Sequence, residues 1–285
     1  IAAHTPPNWE VKIIDEVIQK LNLDEQVDLV GISCLTLNAP RVYELAQKFR
    51  EKGVKVVLGG IHPSMLPNEA KKYCDAVVIG EVESVWKEVI NDFENKRFKK
   101  FYYGQSLPLV NLPLPRRDLF SKRYVLDSVE TSRGCPMACK FCSVTRFNGG
   151  LLRQRPVKEV LNEIATIKKK RIFFTDSNII GYGSKAEERA VELFRGLKEY
   201  NKSWVAQASI NIADNDKILK YAGESGCFLF FIGFESVNEL ALNDMGKKLN
   251  LKSGVENYKR TIRKIHDYGI MVQGALIFGN DADDK

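Results

Sequence analysis

Histidine is scarce in this chain, three in 285 residues, and none lies near its cysteine-rich segment. A mixed Cys/His zinc site therefore has no nearby imidazole to draw on. An all-cysteine structural site wants paired C-x-x-C units, and no second pair exists. No apolar run approaches the ~20 residues needed to cross a bilayer. No signal-peptide pattern follows Ile1, and the six cysteines show no regular pairing. A small secreted disulfide framework is thereby excluded, and the expected compartment is a reducing cytoplasm. Internal repeats and low-complexity tracts are also missing.

With 44% hydrophobic and 28% charged residues, the chain reads as a soluble globular protein with room for two domains. A net charge of +7 invites a nucleic-acid reading. The basic clusters Lys99-Lys100, Arg116-Arg117 and Lys168 to Arg171 are not interleaved with aromatics, as a base-stacking surface requires. The last cluster is read as closing a helix, where the dipole favours cations. A solvated lysine face is the better account, and nucleic acid is not expected as a partner.

The first hundred residues alternate strand and helix patterns. Val11 to Ile14, Leu29 to Ser33, Val54 to Leu58 and Ala76 to Ile79 are short apolar runs. Between them, Val42, Leu45, Ala46 and Phe49 recur at helical spacing, as do Val85, Trp86, Val89, Ile90 and Phe93. Strands without polar alternation, joined by helices, imply a parallel sheet covered on both faces. The expectation is a Rossmann-like, doubly wound domain over 1–104 whose first strand lies upstream of Ile1. A proline-rich linker over 105–123 follows. From 124 to 285 the alternation restarts, with strands expected at Val125–Thr131, Arg171–Asp176, Trp204–Ala208, Phe228–Phe234 and Met271–Phe278. Five successive βα-type units suggest a barrel or partial barrel with functional groups at the strand C-termini. The odd ends, Ile1 without a methionine and a stop just after a strand, suggest truncation at both.

Cys135-Pro-Met-Ala-Cys139-Lys-Phe-Cys142 follows the first barrel strand. Thiolates at C-x-x-x-C-x-x-C spacing can hold three corners of a 4Fe–4S cube and leave the fourth iron open to a ligand. Polar residues end the next strands: Thr175-Asp176-Ser177-Asn178, then Gln207 and Ser209, then Glu235-Ser236. Strand ends are polar in any protein because they meet water. Their convergence on the mouth that receives the cysteine loop favours a bound ligand.

The cysteine segment, with Phe141 before its third cysteine, resembles the signature of radical S-adenosylmethionine (SAM) enzymes. Phe141–Arg146, Phe173–Asn178, Ile232–Ser236 and Gly274–Gly279 look like segments of those family members that carry an N-terminal cobalamin-binding-type domain. The resemblance implies a partial (β/α)6 barrel of the TIM type, whose sixth strand would fall beyond Lys285, and that Cys135, Cys139 and Cys142 bind a 4Fe–4S cluster. That cluster would cleave SAM reductively to a 5′-deoxyadenosyl radical. Asp176 and Asn178 stand where many relatives carry Gly-Gly-Glu, which contacts the methionyl amino group. Glu235 would accept hydrogen bonds from the ribose, with Phe141, Gln207 and Ser209 also lining the cofactor. Ser33-Cys34-Leu35 and Gly59-Gly60 resemble the S-x-L and Gly-Gly elements of cobalamin-binding domains. The Asp-x-His-x-x-G element that would supply a lower cobalt ligand belongs after the missing first strand. His62 is read as a loop residue whose ring hydrogen-bonds locally, with lining of that site as the alternative.

The function this implies is cobalamin-dependent methyl transfer to an unactivated carbon of a small molecule, such as a lipid or natural-product precursor. A flavodoxin or ferredoxin would serve as reductant. Radical oxidation, cyclisation or carbon–carbon coupling is an alternative. A tRNA methylthiotransferase is another, although that family brings three further cysteines where only Cys34 and Cys74 occur here. A non-enzymatic iron–sulfur or zinc module comes last.

Overall fold

The computed structural model describes residues 1–283. The chain divides into two compact units. The first comprises Ile1–Pro108 with Leu112–Tyr124; the second comprises Leu109–Asn111 and the chain from Val125 onward. The stretch expected as a linker is thus shared between them.

In the first unit, β1 (Leu29–Ser33), β2 (Lys55–Gly59), β3 (Ala76–Ile79) and β4 (Phe101–Tyr103) form an all-parallel sheet in the order β1-β2-β3-β4. Alternate residues of the same strands face opposite ways, as the two-residue period of a strand requires. Val56, Leu58 and Val77 pack under α1 (Ala39–Glu51) with Val42, Ala46 and Phe49. Val57, Ala76 and Val78 pack under the later helix Trp86–Glu94 with Trp86, Val89 and Ile90. Both faces are covered, as the unbroken apolar runs imply.

Val11–Ile14 forms no strand. An apolar run becomes a strand only where a neighbour completes its ladder, and β1 ends the sheet on its outer side among the described residues. Lys12 instead pairs with Glu25, and Asp15 begins a turn. The three residues of β4 escaped the sequence reading because so short a run carries no periodicity.

The second unit is built on β5 (Asp127–Val129), β8 (Arg171–Phe174), β9 (Ser203–Ala208), β10 (Cys227–Glu235) and β11 (Met271–Leu276). They are parallel and adjacent in chain order. A two-stranded antiparallel ribbon, β6 (Ser132–Arg133) with β7 (Arg153–Gln154), stands apart from that sheet. The expected sixth strand lies outside the described residues. One face of the sheet sits under helices. Ile172, Phe174, Trp204, Ala206, Phe230 and Ile232 pack there with Val160, Ile164, Leu193, Phe194, Leu219 and Ile265. Trp204 is fully buried, its ring 5.0 Å from that of Phe194 and 5.4 Å from that of Phe174. The opposite, inner face carries Phe173, Val205, Gln207 and Phe231, with Phe173 and Phe231 edge to face at 6.2 Å.

The basic cluster does not close a helix. The helix Val157–Thr166 ends before it, and the lysines occupy the turn into β8, where Lys169 pairs with Asp127 at 3.0 Å.

Candidate functional site

The cysteine loop is launched by the β6–β7 ribbon. Gly134 makes this possible: at φ +89° its absent Cβ would lie 2.2 Å from the Leu151 carbonyl oxygen. Only glycine tolerates both the backbone angle and the approach. Within the loop Ala138 is left-handed at φ +52°, the Cys142 N–H donates to the Cys139 carbonyl at 3.1 Å, and Thr145 Oγ1 donates to the Cys135 carbonyl at 3.0 Å. The Lys140 N–H donates to the Met245 carbonyl at 3.0 Å, which ties the loop to the end of the helix Glu239–Met245.

Beneath the ribbon runs a buried charged network. Arg155 pairs with Glu163 at 2.6 Å, both side chains almost fully buried, and also donates to the Glu130 carbonyl. Arg189 donates to the carbonyls of Arg155 and Thr131. Both oxygens of Asp176 are engaged, one by the Thr131 N–H and the other by the Thr131 and Ser132 hydroxyls. Complete burial raises the Asp176 pKa, opposed by those hydrogen bonds and by Arg189. Asn178 is likewise occupied locally, donating to the Gly181 carbonyl and accepting from the Ile180 N–H. Asp176 therefore fastens the end of β8 to the start of the ribbon, and Asn178 braces the turn that follows β8.

Glu235 ends β10 at a bulge, with a left-handed backbone at φ +64°. A side-chain-bearing residue there is strained, a condition that persists where surrounding structure enforces it. Its surroundings are specific. Asn250 donates to the carbonyls of Gly233 and Phe234, both at 3.1 Å, and Lys247 pairs with Glu235 Oε1 at 3.1 Å. The carboxylate folds back over Gly233, where a Cβ would lie 2.2 Å from Oε1.

Lys247 also acts on the cysteine loop. Burial raises the Cys139 thiol pKa, and the Lys247 ammonium opposes that rise. Cys135 and Cys142 lie near enough to Cys139 to affect its charge. On the other side, Cys135 Sγ is 3.4 Å from the Tyr182 hydroxyl, which is 3.3 Å from Ser209 Oγ. The Asn178 side chain lies near the same hydroxyl. Gln207 projects from the inner face of β9, exposed, and Phe141 is 49% exposed.

The structure thus gathers Cys135, Cys139, Cys142, Asn178, Ser209 and Glu235 around two residues the sequence reading passed over, Tyr182 and Lys247. Their only sequence signals are modest: an aromatic between Gly181 and Gly183, and a cation directly after Gly246, which caps a helix. Among the described residues no three His, Cys, Asp or Glu side chains converge on a point suited to a single metal ion.

In the first unit, Gly60 has φ +100°, and a Cβ there would lie 2.9 Å from the Cys34 carbonyl oxygen and 3.2 Å from Ser33 Oγ. The loops after β1 and β2 leave Leu35, Leu37, Met65 and Leu66 exposed. His62 is not a loop residue with local bonds. It lies in the short helix Ile61–Met65, 4% exposed, with Nε2 2.8 Å from the Tyr43 hydroxyl and Nδ1 3.2 Å from Thr36 Oγ1. Those two partners come from distant positions because α1 and the loop after β1 fold over it, while a third, Glu69 at 3.3 Å from Nε2, lies only seven residues on.

Comparison with known proteins gives these features a family. The model of the radical SAM superfamily matches residues 129–284, and that of the B12 binding domain matches residues 3–90. Bacteriochlorophyllide d C-12(1)-methyltransferase of Chlorobaculum tepidum is 33% identical over 271 residues, covering 90% of this chain and 58% of that protein. Bacteriochlorophyllide d C-8(2)-methyltransferase of the same organism is 30% identical, covering 98% of this chain and 65% of that protein. Hopanoid C-2 methylase of Rhodopseudomonas palustris is 26% identical, covering 99% and 56%. The chain thus spans between half and two thirds of the length of these relatives. Among solved structures, the radical SAM methyltransferase TsrM of Kitasatospora setae superposes with a TM-score of 0.73 at 16% identity, covering 91% of this chain and 58% of that one. That likeness shows the fold. The chain belongs to the radical SAM superfamily and carries a B12-binding-type domain before its radical SAM domain.

Proposed function

We propose that this chain forms the cofactor-binding part of a cobalamin-dependent radical SAM methyltransferase that methylates an unactivated carbon of a small molecule. The observation that carries the reading is one gathering of groups in the second unit: three free, half-buried thiols, on the loop leaving the antiparallel ribbon, beside the Glu235–Lys247 pair at the end of parallel strand β10. The other cysteines differ. Burial pushes the thiols of Cys34 and Cys74 each up to about 11 and that of Cys227 well above its ordinary value. Those three are buried in the packed interior, while the loop cysteines are half-buried and accessible to iron.

The donor set, three cysteine thiols at C-x-x-x-C-x-x-C spacing, fits three corners of a four-iron cluster. When bound, a 4Fe–4S cluster supplies one electron for cleavage of the SAM sulfonium, and cobalamin supplies a carrier for the methyl group. Cys135, Cys139 and Cys142 would hold three irons. Glu235, fixed by Lys247, would accept hydrogen bonds from ribose hydroxyls. Ser209, Gln207 and Phe141 would border the cofactor. In the first unit Gly59, Gly60, Ser33 and Leu35 would border the cobalamin tail at the strand ends, where such sheets bind ligands.

The half-buried Phe173 and Phe231 on the inner face suit a largely apolar substrate. The relatives' names point the same way, to tetrapyrroles and hopanoids. No helix is long and apolar enough to cross a membrane among the described residues. The reading places the protein in the cytoplasm with a flavodoxin or ferredoxin as electron donor.

The test is to purify the protein without oxygen, reconstitute the cluster and cobalamin, and supply reductant, SAM and candidate tetrapyrrole or hopanoid acceptors. Methyl transfer predicts a product heavier by one methyl group, with 5′-deoxyadenosine released. Release of 5′-deoxyadenosine with an oxidised or cyclised product of unchanged carbon count would contradict methyl transfer.

A further inference from the structure

The Tyr182 hydroxyl stands 3.4 Å from Cys135 Sγ and 3.3 Å from Ser209 Oγ, with the Asn178 side chain nearby. We propose that Tyr182 is a positioning residue that donates its phenolic proton to the Cys135 sulfur and thereby raises the reduction potential of the cluster. The inference rests on the reading of Cys135 as a cluster ligand.

The direction of the hydrogen bond follows from donor and acceptor capacity. A metal-bound cysteine is a thiolate, which accepts and has no proton to give. The single Tyr182 proton therefore goes to sulfur, leaving the phenolic oxygen to accept from its other neighbours. Ser209 can supply its hydroxyl proton. Asn178 spends one amide hydrogen on the Gly181 carbonyl at 3.1 Å and uses its carbonyl oxygen on the Ile180 N–H, so its second amide hydrogen is available. Donors to the phenolic oxygen polarise the O–H and strengthen its bond to sulfur.

Adding an electron makes the cluster and its thiolates more negative. A hydrogen bond to a ligand sulfur stabilises the reduced form more than the oxidised one, and such bonds are among the determinants of cluster potential. No other thiol of the loop has a tyrosine hydroxyl in hydrogen-bond contact among the described residues, so the bond also makes the three ligands inequivalent.

The test is a redox titration of the anaerobically reconstituted protein without SAM, following the electron paramagnetic resonance signal of the reduced cluster as dithionite is added. Tyr182→Phe keeps the ring and removes the donor. It is expected to hold as much iron and sulfide as wild type and to titrate at lower potential. At fixed potential the reduced-to-oxidised ratio should fall about tenfold, which for one electron is about 59 mV. Ser209→Ala leaves Tyr182 in place but removes a donor to it, and should shift the midpoint the same way by less. A fully loaded Tyr182→Phe protein with the wild-type midpoint overturns the proposal. If Tyr182→Phe takes up no iron, Ser209→Ala decides, and an unshifted midpoint there overturns it. A wild-type protein that binds no four-iron cluster overturns the functional reading as well, and is told apart because wild type itself fails.

Discussion

Lys247 pairs with Glu235 at 3.1 Å and is at the same time the cation that opposes the burial-raised pKa of Cys139. One ammonium group thus couples the strained end of β10 to the cysteine loop. Replacing Lys247 by Met leaves the Glu235 carboxylate without its fixed partner. A hydrogen bond to a charged group contributes about 1.5–3 kcal/mol, so SAM binding should weaken by about tenfold or more. Lys247→Arg should recover much of the loss. Equilibrium binding of SAM to the cluster-loaded variants checks this, and unchanged affinity in Lys247→Met would contradict it.

The Arg155–Glu163 pair is almost fully buried beneath the ribbon that carries the cysteines. Removing one member of a buried pair strands the other charge and typically costs about 3–5 kcal/mol. Glu163→Ala should lower stability by that amount and, through the ribbon, reduce iron uptake. Denaturant unfolding and iron analysis read the two effects separately.

Gly60 combines φ +100° with a phantom Cβ 2.9 Å from the Cys34 carbonyl oxygen. Gly60→Ala must bear the strained angle and push apart the loops after β1 and β2, at a cost of about 1–3 kcal/mol. Cobalamin retention should fall while iron content per chain is preserved. Cobalamin absorbance after gel filtration, alongside an iron assay, checks the separation.

Asp75 supplies a pH dependence. Burial raises its pKa, but the Lys55 ammonium at 2.8 Å, the Val56 N–H and Arg50 outweigh burial and hold the carboxyl below 3.8. A carboxylate with a depressed pKa stabilises the fold above its unfolded value, and that contribution is lost as pH falls through the folded value. Asp75→Asn should therefore be less stable than wild type near neutrality, with the difference shrinking below pH ~4. Unfolding midpoints measured across that range test the sign.

Much of the fold was legible because parallel buried strands are unbroken apolar runs. The runs ending at Ser33, Leu58, Ile79, Ala208 and Phe234 lie within one residue of observed strand ends. Val11–Ile14 was misread because an apolar run does not reveal whether a neighbour exists to complete its ladder. Glu235 was visible as a charge ending such a run. Tyr182 and Lys247 were not, since each lies in a turn and gains its meaning only when folding brings Cys135 to one and Glu235 to the other. The location of Asp176 was legible but not its surroundings: no spacing rule discloses that both its oxygens are taken by Thr131 and Ser132.

The account depends most directly on an iron–sulfur cluster held by Cys135, Cys139 and Cys142. Anaerobic reconstitution followed by iron and sulfide analysis and resonance spectroscopy of the reduced protein measures it. The prediction is four irons and four sulfides per chain and 5′-deoxyadenosine released on adding SAM, all lost when the three cysteines are replaced by alanine. A wild-type protein that takes up zinc or no metal, or a triple-alanine variant that still cleaves SAM, would contradict it.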